Sequence, residues 1–295
     1  MTTSTIDATL QQRLKNVQGI MFDIDGCLVI SDGPSGAGGT VLEGAIEAIE
    51  FAKSSGRKYC VFTNGTAQRP KEIAHHLRKM GFEIPDELVY TPAIVAAEVM
   101  KEKYGDQPVL VFAAEGMLED FRERGVNLVD TDAAIAGAKH GAKAVVIGWD
   151  TNFGKDKIQL AAEAIRDGAE LFCTSYAPMF ASADRLNVGV SGFITSGLLF
   201  VTGLDHFEIL GKPSQHSMHV VGRVLETPAD QILVVGDDIR LESAMARKAG
   251  AVATLVTTGT SSRVDAQNAD ADVAPELVID SMLELISAFE AADAS

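Results

Sequence analysis

The stretch "GIMFDIDG" (Gly19–Gly26) places Asp23 and Asp25 two residues apart behind an apolar run. The run predicts a short buried strand, and residues two apart at an extended strand end point to the same side. At about 3–4 Å, two carboxylates disfavour joint ionisation unless a cation or a proton intervenes. Mg²⁺ would relieve that conflict because it is a hard ion that prefers oxygen ligands. On this motif alone, a solvated strand end remains an alternative.

The composition of the chain limits the classes of partner. The chain has 295 residues, 46% of them hydrophobic, and 41 acidic against 25 basic residues give a formal net charge of −16. A chain of this length and apolar content can bury one large or two modest cores. A surface so acidic repels nucleic acid and anionic lipid, so we expect no nucleic acid and no membrane as partners. A small anionic substrate is compatible with it where local cationic groups surround the substrate.

The cysteines and the N-terminal stretch indicate a reducing compartment. Cys27, Cys60 and Cys173 lie far apart and are too few for a disulfide framework, so we expect buried, reduced thiols. Residues 1–18 lack an apolar signal core. No run approaches the roughly 20 apolar residues of a membrane span. We therefore expect a cytoplasmic location.

Apolar segments of strand length recur in both terminal parts of the chain. They predict strands at 17–22, 57–62, 231–235 and 252–256. Between them, apolar residues at helical spacing predict helices, one over 41–55 and another that buries Ile73, Leu77 and Met80. Buried strands that alternate with helices indicate a parallel sheet covered on both faces. The predicted fold class is therefore doubly wound α/β.

The middle of the chain repeats this alternation independently. The predicted strands are 108–113, 142–150 and 169–174, with a helix over 155–167. Strands that can form their own small sheet indicate a separate domain, and Pro92 and Gly203 are candidate hinges. We therefore predict a discontinuous core domain, 1–91 and 205–295, with a smaller α/β cap domain inserted at 92–204.

Several polar residues stand immediately after these apolar strands: Asp23, Asp25, Thr63 and Asp237. In an open α/β sheet, ligands bind at the carboxyl ends of the strands, and these residues would share that edge. Their coincidence across three strands is the main indication of a functional site.

The segment "FTNGT" supplies a candidate anion cradle. Thr63, Asn64 and Gly65 would stand at a strand end ahead of a helix, where backbone N–H groups, a hydroxyl and an amide can bind an anion. An ordinary Asn-Gly turn explains the same residues, so the motif alone leaves both interpretations open.

Two further segments, "EILGKPS" and "VVGDDIRLE", add a cation and a second acidic pair. Lys212 stands in a loop framed by Gly and Pro, where it could balance an acidic site or be an ordinary surface lysine. Asp237 and Asp238 end a buried strand, and Gly236 permits close approach there. Two consecutive acidic residues in this position are hard to explain by the needs of a turn alone, so they indicate a functional role.

Other metal and phosphate motifs fit the sequence poorly. His216 and His219 have helical spacing, but no third zinc ligand is apparent. An EF-hand is disfavoured because Cys27 and Leu28 stand where an oxygen ligand and a glycine are needed. The Gly-rich segment 33–39 lacks the lysine and the spacing of a phosphate-binding P-loop, and we interpret it as a mobile flap or a connector.

Four segments, "FDIDG", "FTNGT", "EILGKPS" and "VVGDDIRLE", occur in this order along the chain. They resemble the motifs of the haloacid dehalogenase (HAD) superfamily of phosphohydrolases. The chain looks like class IIA with a C2-type cap, which includes NagD-like and 4-nitrophenylphosphatase-like proteins. The resemblance runs from "MFDIDGCL" through "FTNGT", "GKPS" and "GDDIRLE" to "LVTTGT", nearly the whole chain. It implies a Rossmann-like core with an inserted cap.

The resemblance also implies a mechanism and a set of roles. The chain would be a Mg²⁺-dependent phosphatase of a small phosphorylated metabolite, with Asp23 as the nucleophile that forms an aspartyl-phosphate. Asp25 would be the general acid and then the general base. The implied Mg²⁺ ligands are the side chains of Asp23 and Asp237 and the carbonyl of Asp25. The implied phosphate-binding residues are Thr63, Asn64, Gly65 and Lys212, and the implied residues supporting the site are Asp238 and Glu242.

The chain departs from the family pattern at specific positions. Relatives usually carry Asn where Gly65 stands and Asp where Glu242 stands. The cap segment that normally sets leaving-group preference reads Ser175 to Phe180, "SYAPMF", instead of continuing the usual Thr-Asn-x-Asp. A phosphotransferase that uses the same intermediate and a weakly active phosphometabolite-binding protein are therefore alternatives. A homodimer through the cap is also an expectation from relatives.

Overall fold

The computed structural model describes residues 7–31, 39–181 and 186–294. Within these residues the chain forms two compact units. The first comprises Met1–Thr63, Pro70–Tyr90 and Met218–Ser295, and the second comprises Asn64–Arg69 and Thr91–Ser217. The Gly-rich segment 33–39, interpreted above as a flap or connector, lies outside the described residues except for Gly39.

The strands follow one another along the chain as β1 Gly19–Phe22, β2 Val29–Ile30, β3 Thr40–Val41, β4 Lys58–Phe62, β5 Val89–Tyr90, β6 Val109–Phe112, β7 Ala144–Ile147, β8 Glu170–Cys173, β9 Met179–Ala181, β10 Leu186–Val188, β11 Glu208–Ile209, β12 Ile232–Gly236, β13 Val252–Val256 and β14 Leu277–Ile279.

The α-helices are α1 Ala8–Lys15, α2 Ala45–Ser54, α3 Pro70–Lys79, α4 Pro92–Tyr104, α5 Glu115–Glu123, α6 Thr131–Ile135, α7 Lys155–Arg166, α8 Val190–Thr202, α9 Gln215–Val224, α10 Ala244–Ala249, α11 Arg263–Gln267 and α12 Met282–Asp293. Short 3₁₀ turns lie at Asp86–Leu88 and Ala229–Gln231, and a π-helical turn spans Ile239–Ser243. Across the described residues, no helix combines the length and the apolar character needed to cross a membrane.

A six-stranded parallel sheet forms the centre of the first unit, in the order β14-β13-β12-β1-β4-β5. The four strands predicted for the core all belong to it. In the register of this sheet, Phe22 on β1 lies opposite Val235 on β12 and Val61 on β4. The carboxyl ends of these three neighbouring strands are therefore level.

Both faces of β1 are covered. Ile20 and Phe22 point to one face and belong to a hydrophobic cluster that includes Leu77 of α3 and Phe289 of α12. Met21 points to the other face by strand alternation and is also fully buried. Each such side chain contributes about 1.5–3 kcal/mol by leaving water. The prediction of a doubly wound α/β fold is confirmed.

The first predicted helix is shorter than expected. We predicted 41–55, whereas α2 spans Ala45–Ser54 and the residues before it form β3, which pairs antiparallel with β2. The reason is Gly44, whose left-handed φ of 76° does not belong to a right-handed helix. The chain before it is free to extend, and the β-branched Thr40 and Val41 suit a strand.

The second unit has its own parallel sheet, in the order β11-β8-β7-β6, and a hairpin formed by β9 and β10. The three strands predicted for the middle of the chain are present, and the helix predicted over 155–167 is α7. Because β11 pairs with β8, the segment just after 204 joins this sheet. The second unit therefore extends to Ser217, beyond the cap boundary predicted from the sequence.

Candidate active site

Three neighbouring strands of the first unit end in polar residues. Asp23 follows β1, Thr63 follows β4, and Asp237 follows β12. The Asp23 amide donates to the carbonyl of Val235 at 2.9 Å, which continues the pairing of β1 with β12 by one residue. All three side chains are at least nine-tenths buried. Parallel pairing therefore places two carboxylates and a hydroxyl on adjacent strand ends at one edge of the sheet.

The chain turns sharply after Asp23. The carbonyl of Ile24 accepts hydrogen bonds from the amides of Leu28 at 2.8 Å and Val29 at 3.0 Å, and the Gly26 amide donates to Val29 at 2.7 Å. Gly26 has a φ of 77°, and a Cβ there would meet the carboxylate carbon of Asp237 at 2.8 Å. Glycine is needed for both the backbone conformation and the close approach. The turn thus lies directly against Asp237.

A second loop also contacts Asp237, and its Gly259 lies next to Gly26. The Thr260 amide donates to Asp237 Oδ2 at 2.6 Å, and the Ser261 amide donates to the Asp237 carbonyl at 2.9 Å. A Cβ on Gly259 would collide with the Asp237 carboxylate. Gly259 and Thr260 were not predicted as site residues, although they lie in the "TTGT" run that follows β13.

Gly26 and Gly259 let two backbone segments approach the Asp237 carboxylate closely, and the candidate ligand atoms there are carboxylate and carbonyl oxygens. This chemistry fits Mg²⁺, which prefers carboxylate and carbonyl oxygens. Among the residues that the structure describes, no group of three or more His, Cys, Asp or Glu is arranged to hold a metal. The predicted Mg²⁺ ligands are not such a group of three side chains, because they comprise two carboxylates, of Asp23 and Asp237, and one backbone carbonyl, of Asp25.

Asp238 and Glu242 shape the chain behind Asp237. Asp238 accepts from the Arg240 amide at 2.8 Å, where it caps the π-helical turn, and forms an ion pair with the Arg240 guanidinium at 2.9 Å. Glu242 is 1% exposed, and its Oε2 accepts from the Asp238 amide at 3.1 Å. It fills the space above Gly236, where a Cβ would collide with it. Both acids therefore hold the loop that carries Asp237.

Asp25 has a neighbour that the sequence analysis did not identify. The Ser31 hydroxyl donates a hydrogen bond to Asp25 Oδ1. Ser31 is buried, whereas Asp25 is half-buried. No sequence motif announces this contact, because serine is common and the residue stands six positions downstream.

Asn64 and Lys212 are joined within the second unit. Asn64 Nδ2 donates to the Lys212 carbonyl at 2.9 Å, and the Lys212 amide donates to Asn64 Oδ1 at 2.8 Å. The Lys212 side chain is 2% exposed, so it is not the solvated surface lysine of the alternative interpretation. A lysine is rarely buried so deeply without anionic partners. Gly65, the third residue of the predicted cradle, follows Asn64 in the same loop.

The far end of that loop is tied to α5 by Arg69. Its guanidinium contacts Asp120 at 2.9 Å, Glu119 at 2.6 Å and Glu123 at 2.5 Å. Burial lowers the pKa of Arg69, but hydrogen bonds with Glu123 and Asp120 outweigh it, so the net shift is upward. Arg69 therefore remains a cation, and it is buried together with Asp120.

The cap segment with the altered sequence begins beside Lys212. The Gly211 amide donates to the carbonyl of Thr174 at 2.9 Å, and the Ser191 hydroxyl donates to the carbonyl of Ser175 at 2.7 Å. The hydroxyls of Tyr176 and Ser196 lie 2.9 Å apart. Tyr176 and Met179 are exposed, and the side chain of Phe180 lies outside the described residues. The segment is thus anchored at its start and exposes apolar side chains further on.

The two histidines weighed as a zinc pair have other surroundings. His216 Nε2 lies 3.1 Å from Glu208 Oε2, and both residues are half-buried. Neither His216 nor His219 belongs to a group of metal-binding side chains within residues 7–31, 39–181 and 186–294.

Two protein-family models match the chain. One describes haloacid dehalogenase-like hydrolases and matches residues 20–127, and the other describes HAD-hydrolase-like proteins and matches residues 209–285. Together they include Asp23, Thr63, Lys212 and Asp237, the residues that the motifs singled out.

Individual proteins match over nearly the whole chain. A 5′-nucleotidase of Bacillus subtilis is 28% identical over 275 residues, which are 92% of this chain and 99% of that protein. The glycerol phosphate phosphatase of Mycobacterium tuberculosis, solved in complex with magnesium, is 25% identical with a TM-score of 0.79 and covers 92% of this chain and 77% of its own. A 4-nitrophenylphosphatase of Thermotoga maritima shares the fold, with a TM-score of 0.82 and 23% identity over 93% of this chain and 98% of its own.

Proposed function

The chain belongs to the haloacid dehalogenase-like hydrolases, in the NagD-like class IIA, and we propose that it is a Mg²⁺-dependent phosphatase of a small phosphomonoester. The similar proteins indicate that the chain is a phosphoric monoester hydrolase. The observation that carries the proposal is the register of β1 with its two neighbours, because it sets Asp23, Thr63 and Asp237 at adjacent strand ends.

The proposed reaction has two steps, in which the nucleophile is first Asp23 and then water. The Asp23 carboxylate attacks phosphorus, the ester P–O bond breaks, and Asp25 gives its proton to the departing oxygen. Asp25 then takes a proton from a water molecule, which attacks phosphorus of the aspartyl-phosphate. Inorganic phosphate leaves, and the Asp23 carboxylate is restored. Uncatalysed hydrolysis of such esters is slow enough that enzymes accelerate it by up to about 10²¹-fold.

The remaining residues would bind charge. Mg²⁺, held by Asp23, Asp237 and the Asp25 carbonyl, would supply positive charge to the phosphoryl oxygens. Thr63 and Asn64 are neighbours in the chain, and with Gly65 they would donate hydrogen bonds to the same oxygens. Lys212, whose backbone is held by Asn64, would balance the charge of the nucleophile and the phosphate.

The test is phosphate release from 4-nitrophenyl phosphate with and without Mg²⁺. We expect turnover that EDTA abolishes and added Mg²⁺ restores, and an Asp23→Asn variant that folds but shows no turnover. Asp106→Asn removes an exposed carboxylate that pairs with Lys101, and it serves as the matched control with full activity. Retained turnover in Asp23→Asn contradicts the nucleophile assignment.

Two alternatives use the same residues. A phosphotransferase would pass the phosphoryl group of Asp23 to an alcohol or sugar, and product analysis with added acceptors separates it from a phosphatase. A weakly active phosphometabolite-binding protein is favoured by Gly65 and by the apolar segment after Ser175. Binding of a phosphorylated metabolite without turnover, under saturating Mg²⁺, would support that alternative. We still predict that the protein binds neither nucleic acid nor membrane and that it is located in the cytoplasm.

We also propose a homodimer through the second unit. Helix α8 has no charged residue, and it exposes Phe193 by 73% and Phe200 by 88%, seven residues apart on one face, with Val201 beside them. In a chain with a net charge of −16, an uncharged apolar face is where two like-charged copies can approach. We expect a dimer by analytical ultracentrifugation, a monomer for Phe200→Glu, and a dimer for the control Val264→Glu, which changes an exposed valine of the first unit.

A further inference from the structure

We propose that Ser31 is a positioning residue for Asp25, the general acid and base of the proposed reaction. This inference rests on the proposed function. Ser31 neither touches the reacting atoms nor exchanges a proton in the reaction. Its hydroxyl would hold the Asp25 carboxyl group in the orientation from which Asp25 protonates the departing oxygen.

The fold brings Ser31 to Asp25 through the turn that follows β1. Hydrogen bonds to the Ile24 carbonyl fold the chain back, and Asp25 forms an isolated bridge with Val29. β2 continues from Val29, and Ser31 stands directly after it. Ser31 is only 6% exposed, and its hydroxyl donates to Asp25 Oδ1.

The opposite strand of the hairpin also accommodates Ser31. Gly39 precedes β3 with a φ of 105°, and a Cβ there would collide with the Ile30 carbonyl and lie 2.9 Å from the Ser31 Cα. A side chain at this position would therefore displace the segment that carries the hydroxyl. Glycine is needed here for the contact between the strands that holds Ser31 in place.

A hydrogen bond to one carboxylate oxygen restricts rotation of the whole group. A general acid contributes typically 10²–10⁴-fold only when it is positioned at the proton it transfers, and a misplacement of about 1 Å can cost 10²-fold. Proton donation matters most when the departing oxygen is strongly basic. A weakly basic group such as 4-nitrophenolate departs with little help.

This dependence separates positioning from a purely structural role. A buried serine that only stabilises the turn would, when removed, slow the reaction of all esters by the same factor. Loss of a positioned acid would instead slow esters of basic leaving groups selectively. The parameter kcat/KM is the one to compare, because it reports the steps up to formation of the aspartyl-phosphate.

The experiment measures kcat/KM for 4-nitrophenyl phosphate and for phenyl phosphate, which has a similar shape and a more basic leaving group. For Ser31→Ala we expect the loss with phenyl phosphate to exceed the loss with 4-nitrophenyl phosphate at least about 10-fold. Ser31→Thr should restore most of the difference because it keeps the hydroxyl. Asp25→Asn removes the acid itself, so its extra loss of kcat/KM with phenyl phosphate is the largest that Ser31→Ala could show.

Thr227→Val is the matched control. It removes another buried hydroxyl, which donates to the Leu225 carbonyl at 2.7 Å and lies near Gly19, at the amino end of β1. It should leave the ratio of the two substrates unchanged, and urea unfolding verifies that every variant is folded. Equal losses for both substrates, or no loss, in folded Ser31→Ala would overturn the inference. Absence of turnover in the unmodified protein would instead overturn the proposed phosphatase function.

Discussion

The side-chain amide of Asn64 makes two hydrogen bonds with the backbone of Lys212, 148 residues away, at 2.9 and 2.8 Å. The pair connects the loop after β4 with the loop before α9, and both loops carry predicted phosphate-binding residues. A side-chain amide can replace a backbone partner in this way because it offers one donor and one acceptor.

Removal of this amide should destabilise the protein and weaken phosphate binding. In Asn64→Ala the Lys212 N–H and carbonyl lose these partners, which costs about 1–3 kcal/mol in the free energy of unfolding. Asn64→Asp should cost less because it keeps the acceptor. Urea denaturation measures the first effect, and inhibition by inorganic phosphate measures the second. Asn127→Ala, which breaks an exposed bond to the Asp106 carbonyl, should change neither by much.

Loss of the Arg69 cation should be among the most destabilising single changes in the second unit. Arg69→Met leaves Asp120, which is 3% exposed, without its guanidinium partner. Breaking a buried ion pair costs about 3–5 kcal/mol because a buried charge loses its counterion. Thermal and urea unfolding would measure the loss.

The control for Arg69 lies on α5, the helix that Arg69 contacts. Arg122 pairs with Glu115 on the exposed side of α5. Arg122→Ala should cost no more than about 1 kcal/mol because water screens exposed ion pairs. Similar losses for the two arginines would contradict a role for burial at Arg69.

A side chain on Gly259 should weaken the proposed Mg²⁺ site. In Gly259→Ala the new Cβ would collide with the Asp237 carboxylate, so the carboxylate must turn or the loop must move. We expect the Mg²⁺ concentration for half-maximal activity to rise at least about tenfold, equivalent to 1.4 kcal/mol. Calorimetric titration with Mg²⁺ gives a readout without turnover. Gly197→Ala, whose Cβ meets nothing within 4 Å, should leave Mg²⁺ binding intact.

The buried thiols should make the protein less stable in alkali. Burial raises the pKa of Cys60 from 9.0 to about 12, so the folded state keeps a proton that the unfolded chain loses above pH 9. The stabilisation from this group is complete below pH 9 and declines as the pH rises toward 12, by at most about 1.4 kcal/mol per pH unit.

Urea unfolding between pH 8 and 11 measures this decline. Cys60→Ala should flatten it while lowering stability at pH 8, because it leaves a small cavity. Cys173→Ala should flatten it over a narrower range, since burial raises the Cys173 pKa only to about 11. An unchanged slope in Cys60→Ala would show that other groups cause the alkaline loss.

Much of the fold followed from local patterns. The apolar runs before Asp23, Thr63 and Asp237 predicted buried strands correctly, because three or four consecutive apolar residues bounded by polar or glycine residues suit a sheet covered on both faces. Local pattern was less informative where backbone conformation decided the outcome. The helix start at Ala45 depends on the left-handed Gly44, which apolar periodicity does not register.

The sequence by itself determined the class of fold, the strand ends and the types of reactive side chain, since these depend on neighbours within a few residues. Only the tertiary structure decided which side chains meet. The contacts of Ser31 with Asp25, Asn64 with Lys212, and Gly259 with Asp237 have no local signature. Each depends on the path of separate chain segments in space, and so on the packing of the whole unit.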